Sequence, residues 1–226
     1  MFKGLFKKKA EFLYPDLPQK QRLLDILEKH VMPELQSLGF ELLKPGPVLR
    51  KREGSFDWCV EFLASSWNRG NEVCCYNPYF LVTNSDYNQF LKKNGYKNNS
   101  DGIVGTTYGC QHWDKALFSE NGEKAYFLED FDFAKYDNIQ MVKDLVANIK
   151  TVGIPYFKMM SNFDGIINFY IKTDQRKDAP KLIDLCTVLD RSEQIDKIFQ
   201  WFDKDSNIPD LLRQEMELRR NNRIIN

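Results

Sequence analysis

Cys110 and His112 are the only thiol and imidazole that lie close together in the sequence. On a strand, residues two positions apart share one face, so these two side chains could meet. A nucleophilic cysteine needs a neighbouring base and a lowered thiol pKa. Because no residue nearby completes a catalytic triad, we interpret the pair as structural, with a catalytic thiol as the alternative.

Asp130 and Asp132 are a second candidate pair, again two residues apart. Paired carboxylates can bind Mg²⁺ or serve in acid–base catalysis. The competing interpretation, which we favour, is a solvated strand end whose neighbours Phe131 and Phe133 face the core. Zinc binding is not indicated, because the sequence has no cluster of four Cys or His residues. We predict no metal site and no cofactor.

Aromatic residues gather in the turns and loops of the middle of the chain. We predict that four of them form a binding surface: Tyr76, Tyr79, Tyr108 and Trp113. Exposed aromatic side chains are enriched at protein interfaces and often contribute most of the binding energy. The alternative is that these rings are buried, where each would remove about 150–250 Å² of surface from water.

A leading helix comes before this strand-rich middle. Apolar residues at spacings of three and four predict a helix over 18–38 that Pro33 kinks or splits. The predicted apolar stripe consists of Leu24, Leu27, Val31, Leu35 and Leu38. Alternation over 56–64 predicts a half-buried strand, and Pro78 in the next strand argues for an edge, a bulge or a break.

Turn signals connect the predicted strands. The segment Pro45-Gly46-Pro47 and the pair Asn121-Gly122 each predict a hairpin, and the glycine-rich stretch 95–109 predicts a long exposed loop. We therefore expect an α+β fold: a leading helix, an antiparallel sheet of five to seven strands, helices packed on one face, and a short C-terminal helical cluster.

The last third of the chain changes to helical periodicity. Asp137 is predicted to cap one helix, and Asp190 with Glu193 resembles a capping box at a later helix. Pro180 and Pro209 stand where helices begin. We divide the chain into three parts: a flexible basic N-terminus (1–17), an α+β domain (18–172) and a C-terminal helical extension packed on that domain (173–226).

The charge balance argues against nucleic-acid binding. Lys and Arg total 32, as do Asp and Glu, so the formal net charge is zero, whereas nucleic-acid domains usually carry a basic excess. The five cysteines are an odd number without a CxxC pair, which favours reduced thiols in the cytoplasm. No apolar run is long enough for a membrane span, so we predict a cytoplasmic protein without membrane insertion.

The first nine residues combine lysines with apolar side chains: Phe2, Lys3, Leu5, Phe6, Lys7, Lys8 and Lys9. Such a segment could contact an anionic membrane surface. Because it covers barely two helical turns, we favour a solvated terminus instead.

The junction Leu38-Gly39-Phe40 after the first helix resembles that of an uncharacterised bacterial family. This family has a leading helix, the same Leu-Gly-Phe junction and a twisted antiparallel sheet, and the likeness covers residues 18–172. The resemblance implies the fold and transfers no catalytic residue. Small α+β proteins of bacteria also include immunity proteins, an analogy of architecture alone.

The sequence lacks the phosphate-binding, dinucleotide-binding, metalloprotease and hydrolase motifs. We therefore expect a non-catalytic module that binds a protein partner, and the architectural analogy is to immunity proteins. The alternative is an enzyme or small-ligand binder with a site on the sheet, which would use Cys110, His112, Asp130 or Asp132.

Overall fold

The computed structural model describes residues 10–44, 46–93, 103–105 and 131–225. The α+β fold class predicted from the sequence is confirmed, with a leading helix, an antiparallel sheet and a series of later helices. The predicted hairpin at Asn121-Gly122 lies outside the described residues, as does most of the loop predicted over 95–109.

The described part contains six strands and nine α-helices. The strands are β1 (Glu41–Leu43), β2 (Val48–Glu53), β3 (Phe56–Ala64), β4 (Cys75–Asn84), β5 (Ile103–Gly105) and β6 (Phe131–Asp132). The helices are α1 (Gln19–Ile26), α2 (Met32–Leu35), α3 (Ser85–Lys93), α4 (Asn138–Asn148), α5 (Ile154–Met160), α6 (Phe163–Lys172), α7 (Ala179–Val188), α8 (Ser192–Phe202) and α9 (Asp210–Ile225). Two π turns (Leu27–Val31 and Ile149–Gly153) and two 3-10 turns (Gln36–Leu38 and Arg176–Asp178) join some of them.

The chain forms two compact units. Unit 1 comprises Met1–Val82 and Thr106–Phe157, and unit 2 comprises Thr83–Gly105 and Lys158–Asn226. This grouping differs from the division that we predict at residue 173, because α3 and α6 fall in the same unit as the C-terminal helices.

The strand order is β1-β2-β3-β4-β5, and β6 pairs with β4 outside that order. The predicted hairpin at Pro45-Gly46-Pro47 is confirmed by the antiparallel pairing of β1 with β2. In the β2–β3 register, Leu49 lies opposite Val60. Both are fully buried. Trp58 and Phe62 on the same face of β3 are buried as predicted, but the alternation is incomplete, because Cys59 on the opposite face is also buried and Ala64 is exposed.

Pro78 does not interrupt its strand. We expect an edge, a bulge or a break there, but β4 runs without interruption from Cys75 to Asn84 between β3 and β5. The pairing with β6 involves only Cys75 and Tyr76, so it ends before it reaches the proline, which has no N–H to donate.

Phe157 is the centre of the core of unit 1. Its ring stacks on Trp58, with a centroid distance of 5.5 Å, and lies 5.8 Å from the ring of Phe80 and 6.4 Å from that of Phe40. Trp58 and Phe80 come from the sheet, and Phe40 follows the leading helix. One side chain of α5 therefore joins the sheet to the Leu-Gly-Phe junction.

Gly39 lets the chain leave the leading helix. Its φ of +87° is left-handed, a conformation that glycine adopts at little cost. The turn brings Phe40 back so that its amide donates to the carbonyl of Leu35 at 3.4 Å, and its side chain is buried. The junction therefore turns the chain back from the end of the leading helix into the interior.

Pro33 and Pro155 each come shortly after a π turn that joins two helices. The amide of Met32 donates to the carbonyl of Leu27, five residues earlier, and the next residue is Pro33. The amide of Ile154 donates to Ile149 in the same way, and the next residue is Pro155. A proline cannot donate to the helical ladder, and the wider turn takes up this interruption.

The predicted apolar stripe of the leading helix is only partly correct. Leu27, Val31 and Leu35 are fully buried, but Leu38 is 37% exposed. Leu24 is half-buried, whereas its neighbour Leu23 is fully buried. The π turn shifts the buried face relative to that of a regular α-helix, and Leu38 belongs to the 3-10 turn at the helix end.

The described residues of unit 2 are mostly helical. Asp184 of α7 accepts two hydrogen bonds from the guanidinium of Arg219 on α9, at 2.9 and 2.8 Å. Asn84 caps α3, since its Oδ1 accepts from the amide of Tyr87 at 2.8 Å. The capping box predicted at Asp190 is wrong: α8 begins after Arg191, and no side chain caps it.

Replacing Gly153 with alanine is expected to destabilise the protein. A Cβ at this position would lie 2.7 Å from Cε1 of Phe80. Overpacking of this kind costs about 1–3 kcal/mol, which outweighs the gain of about 0.5–1 kcal/mol for replacing glycine within a helix. The midpoint of urea unfolding should therefore fall.

The matched control is Gly46→Ala in the exposed β1–β2 turn, where a Cβ would have no neighbour closer than Val48 Cγ2 at 4.0 Å. This variant should unfold at the wild-type midpoint. A Gly153→Ala variant as stable as the wild type would contradict the close approach of Phe80.

Candidate interaction surface

Three aromatic side chains of unit 1 are exposed to solvent. Phe12 is 42% exposed, Trp67 is 72% exposed and Tyr136 is 46% exposed. Elsewhere in the described ranges every aromatic side chain whose burial is assigned is buried or half-buried. The three rings come from segments that hydrogen bonds join to one another, and we refer to Phe12, Trp67 and Tyr136 as the aromatic end.

Trp67 lies on a turn that is held from both sides. The side chain of Asn68 accepts from the amide of Cys75 at 2.8 Å and donates to the carbonyl of the same residue at 3.0 Å. From α1, the amide group of Gln19 donates to the carbonyls of Gly70 at 2.7 Å and Val73 at 2.9 Å. The backbone that carries the indole is therefore fixed before any partner binds.

Phe12 lies on a strap, residues 11–14, which the turn before α4 holds in place. The amide of Glu11 donates to Asp137 Oδ2 at 3.0 Å, and that of Leu13 donates to Asn138 Oδ1 at 2.9 Å. In return, the amide of Asn138 donates to the carbonyl of Glu11 at 2.8 Å. Residues 11–14 fall in the N-terminus that we predict to be flexible, yet they are hydrogen-bonded to residues more than 120 positions away.

Asp137 also caps α4 as predicted. Its Oδ1 accepts from the amide of Gln140 at 2.8 Å, while Oδ2 accepts from the strap. An N-cap of this type contributes about 1 kcal/mol. One carboxylate therefore caps the N-terminus of a helix and also positions the segment that carries Phe12.

Arg22 of α1 joins these segments from beneath. It is 2% exposed, and its Nε donates to the carbonyl of Leu13 at 2.8 Å. Its Nη2 donates to the carbonyl of Phe133 at 2.7 Å and to Asn138 Oδ1 at 3.1 Å. Within the described residues no carboxylate lies within ion-pair distance of this guanidinium, so carbonyl and amide oxygens satisfy it.

Asp132, one of the predicted site residues, has a structural role in the turn that carries Tyr136. Its Oδ1 accepts from the amides of Cys74 and Ala134, each at 3.0 Å, and the residue is 9% exposed. The amide of Phe133 donates to the carbonyl of Cys74 at 2.9 Å. This turn is therefore tied to the residue preceding β4, close to the turn of Trp67.

The structure describes two of the predicted binding residues, Tyr76 and Tyr79, and neither is fully exposed. Tyr76 is 5% exposed, and its ring packs at 6.5 Å from that of Phe133, so it belongs to the core in this structure. Tyr79 is half-buried. The remaining predicted residues lie outside the described part of the chain: Tyr108, Cys110, His112, Trp113 and Asp130.

The described cysteines do not have the environment of nucleophiles. The four cysteines of the described part are all buried: Cys59, Cys74, Cys75 and Cys186. Burial, with the charges of Asp57 and Glu61, raises the pKa of the Cys59 thiol to about 12. Burial also raises the pKa of Cys74, although the nearby Arg22 opposes this shift. A reactive thiol needs the opposite shift.

The sequence carries a local signal for one residue of the aromatic end. Trp67 begins a run of turn residues, Asn-Arg-Gly-Asn, and a tryptophan in such a run is expected at the surface. Phe12 and Tyr136 carry no comparable local signal, because their proximity depends on pairing between distant parts of the chain.

The described residues form neither a membrane span nor a metal-binding cluster. No helix there is both long and apolar enough to cross a membrane. No group of three or more His, Cys, Asp or Glu side chains there could hold a metal ion. In the comparisons with known proteins, no family model, no curated protein and no solved structure matches the chain.

Replacing Asn68 with alanine is expected to loosen the turn that carries Trp67. Both side-chain hydrogen bonds to Cys75 are lost, at a cost of about 1 kcal/mol each. The amide of Cys75 should therefore exchange with solvent about tenfold faster or more, as measured by hydrogen exchange. Asn71→Ala in the same turn removes a side chain that makes no hydrogen bond within the described part, and should leave that rate unchanged. A slow Cys75 amide in Asn68→Ala would rule out the fixed turn.

Tyr76→Phe is expected to change how stability depends on alkaline pH. Burial and the neighbouring Cys74 raise the pKa of the Tyr76 hydroxyl to about 12 in the folded protein, whereas the pKa of a tyrosine in an unfolded chain is about 10. Between these values the folded state binds more protons, so stability falls as pH rises from 10 towards 12. Tyr76→Phe should flatten this fall in urea unfolding, and Tyr136→Phe is the exposed control. A fall of unchanged steepness in Tyr76→Phe would contradict the burial of this hydroxyl.

Proposed function

We propose that the chain is a cytoplasmic, non-catalytic module that binds a protein partner through the aromatic end. The observation that carries this proposal is the exposure of Phe12, Trp67 and Tyr136 on three hydrogen-bonded segments of unit 1. Aromatic side chains, tryptophan and tyrosine above all, are the residues most enriched at binding hot spots. The resemblance to an uncharacterised bacterial family, and the analogy to immunity proteins, belong to this proposal.

The ordered backbone that carries the three rings supports a role for them in binding, as opposed to an exposure without function. Turns that are already ordered lose less conformational freedom on association, and this saving increases affinity. The bonds from Asn68, Gln19 and Asp137 order the segments in advance. The exposed parts of the three rings together provide roughly 300 Å², less than the ~800 Å² per partner of a standard interface, so polar neighbours must complete the contact.

The rival function, an enzyme or small-ligand binder with a site on the sheet, has less support. Among its candidate residues, the side chain of Asp132 already accepts hydrogen bonds from two backbone amides in a turn. Cys110, His112 and Asp130 lie outside the described residues, so this function stays a prediction about them.

The test is a mild affinity purification from the native cell, with native mass spectrometry of whatever co-elutes. The wild-type chain should retain a stoichiometric second protein, and Trp67→Ser should lose it. Truncating a hot-spot residue costs about 2 kcal/mol or more, which is roughly a thirtyfold loss of affinity. The Trp67 side chain has no hydrogen bond or ring contact within the described residues, so thermal unfolding should stay close to the wild-type curve.

Leu218→Ser is the matched control, because Leu218 is an apolar side chain of comparable exposure, 63%, on α9 of unit 2. It should retain the second protein. Retention by Trp67→Ser, or equal loss by both variants, would show that the aromatic end is not the binding surface. A bound small molecule without a protein would instead support the rival function.

A further inference from the structure

We infer that α9 binds an amphipathic helix of a second protein, one whose apolar stripe is flanked by lysine or arginine. This inference goes beyond the proposed function, because α9 belongs to unit 2 and the aromatic end to unit 1. Among the side chains of unit 2 whose exposure is assigned, the large apolar ones that are exposed are two leucines of α9. Leu211 is 78% exposed, and Leu218 is 63% exposed.

The two leucines lie on one stripe of the helix. They are seven residues apart, which is close to two helical turns. Gln214 and Asn221 each follow a leucine by three residues, and all four side chains are exposed. We refer to Leu211, Gln214, Leu218 and Asn221 as the α9 seam. Its spacing corresponds to positions a and d of a heptad, the positions through which one helix packs against another.

The opposite face of α9 is packed within unit 2. Met216, half a helical turn away from the α9 seam, is 2% exposed. The guanidinium of Arg219 donates to both carboxylate oxygens of Asp184 on α7, and that of Arg220 lies 4.4 Å from the centroid of the Phe199 ring. The helix is therefore ordered before a partner arrives, which lowers the entropic cost of association.

Acidic side chains flank the α9 seam. Asp210 and Glu217 occupy positions g on one side of it, and Glu215 occupies position e on the other. All three are exposed, whereas the exposed residues of 210–221 include no lysine or arginine. Glu215 accepts a hydrogen bond from Arg219 at 3.0 Å, but this arginine is half-buried and lies farther from the seam. The α9 seam therefore has an acidic border.

The acidic border determines the kind of partner. In a parallel pair of α9 helices, Asp210 of one copy would face Glu215 of the other, and in an antiparallel pair acidic positions of the same type would meet. A second copy is therefore repelled in either direction. Nucleic acids and anionic bilayers carry the same sign as the border. A helix with bases on both sides of a leucine stripe has the opposite sign and also covers the seam.

The experiment uses the full chain and measures binding of a peptide by fluorescence anisotropy. The probe is a fluorescein-labelled peptide of three heptads with leucine at positions a and d and lysine at positions e and g. The double variant Leu211→Gln, Leu218→Gln should bind this peptide at least about tenfold more weakly than the wild type, because two apolar contacts are lost. Glutamine is a good helix former, so the far-UV circular dichroism should stay unchanged. The matched control is Leu63→Gln, which replaces a leucine of β3 that is 47% exposed and should preserve binding.

A second set of variants tests the charge of the border. Glu217→Lys should bind the lysine peptide about fivefold more weakly, because repulsion replaces an exposed ion pair. It should bind more tightly than the wild type a second peptide that has glutamate at positions e and g. Glu193→Lys on α8 makes the same change of charge and should leave both affinities unchanged. Binding of the lysine peptide by the wild type should weaken between about 50 and 300 mM salt, since salt screens exposed charges.

Absence of binding to the lysine peptide would overturn the inference. So would equal binding of this peptide by the double leucine variant and the wild type, or equal binding of both peptides by the wild type. Sedimentation equilibrium tests the other occupant: a wild-type dimer that the double leucine variant abolishes would assign the α9 seam to a second copy. The proposed function fails separately, because Trp67→Ser should still bind the lysine peptide at the wild-type affinity. Loss of the peptide in Trp67→Ser would place the probe on the aromatic end and overturn the inference.

Discussion

The candidate surface depends on the hydrogen bonds that the buried guanidinium of Arg22 donates. Isolating a positive charge from water is costly unless its donors are satisfied, and here the acceptors come from the strap and from the turn that begins α4. If either segment moved away, donors would be left unpaired in the core. The exposed rings of Phe12 and Tyr136 are therefore held in place by a residue that a binding partner would never touch.

A different constraint governs the rest of unit 1. Phe157 brings together rings from the sheet and from the Leu-Gly-Phe junction, and Gly153 leaves the space into which Phe80 fits. The interior is aromatic and tightly packed, while polar bonds hold the end of the unit that presents the three rings. Hydrophobic burial stabilises the unit, and hydrogen bonds to backbone groups give its surface a definite shape.

The sequence predicts the elements of this fold better than it predicts the surface. The α+β class, the first hairpin and the cap at Asp137 follow from local patterns, each of which spans a few residues. The burial of Tyr76 also has a local cause, since it shares a strand face with Phe80 and Val82, but this requires knowing that the strand continues through Pro78. The position of Phe12 depends on bonds to Asp137 across 126 residues, and no local pattern reports such a pairing.

The two π turns also maintain an interval of four along one line of buried positions. Leu23, Leu27, Val31 and Leu35 have this interval, as do Leu145, Ile149, Gly153 and Phe157, and all eight are buried. In a regular α-helix each step of four residues rotates about 40° past a full turn, so three steps would drift by about 120° and leave the core. The wider turn cancels part of this drift. Deleting a single residue inside either π turn would change the intervals to four, three and four, which a regular α-helix keeps on one face within about 60°. The proline that follows would then lie in a regular helical turn and clash with the carbonyl four residues before it.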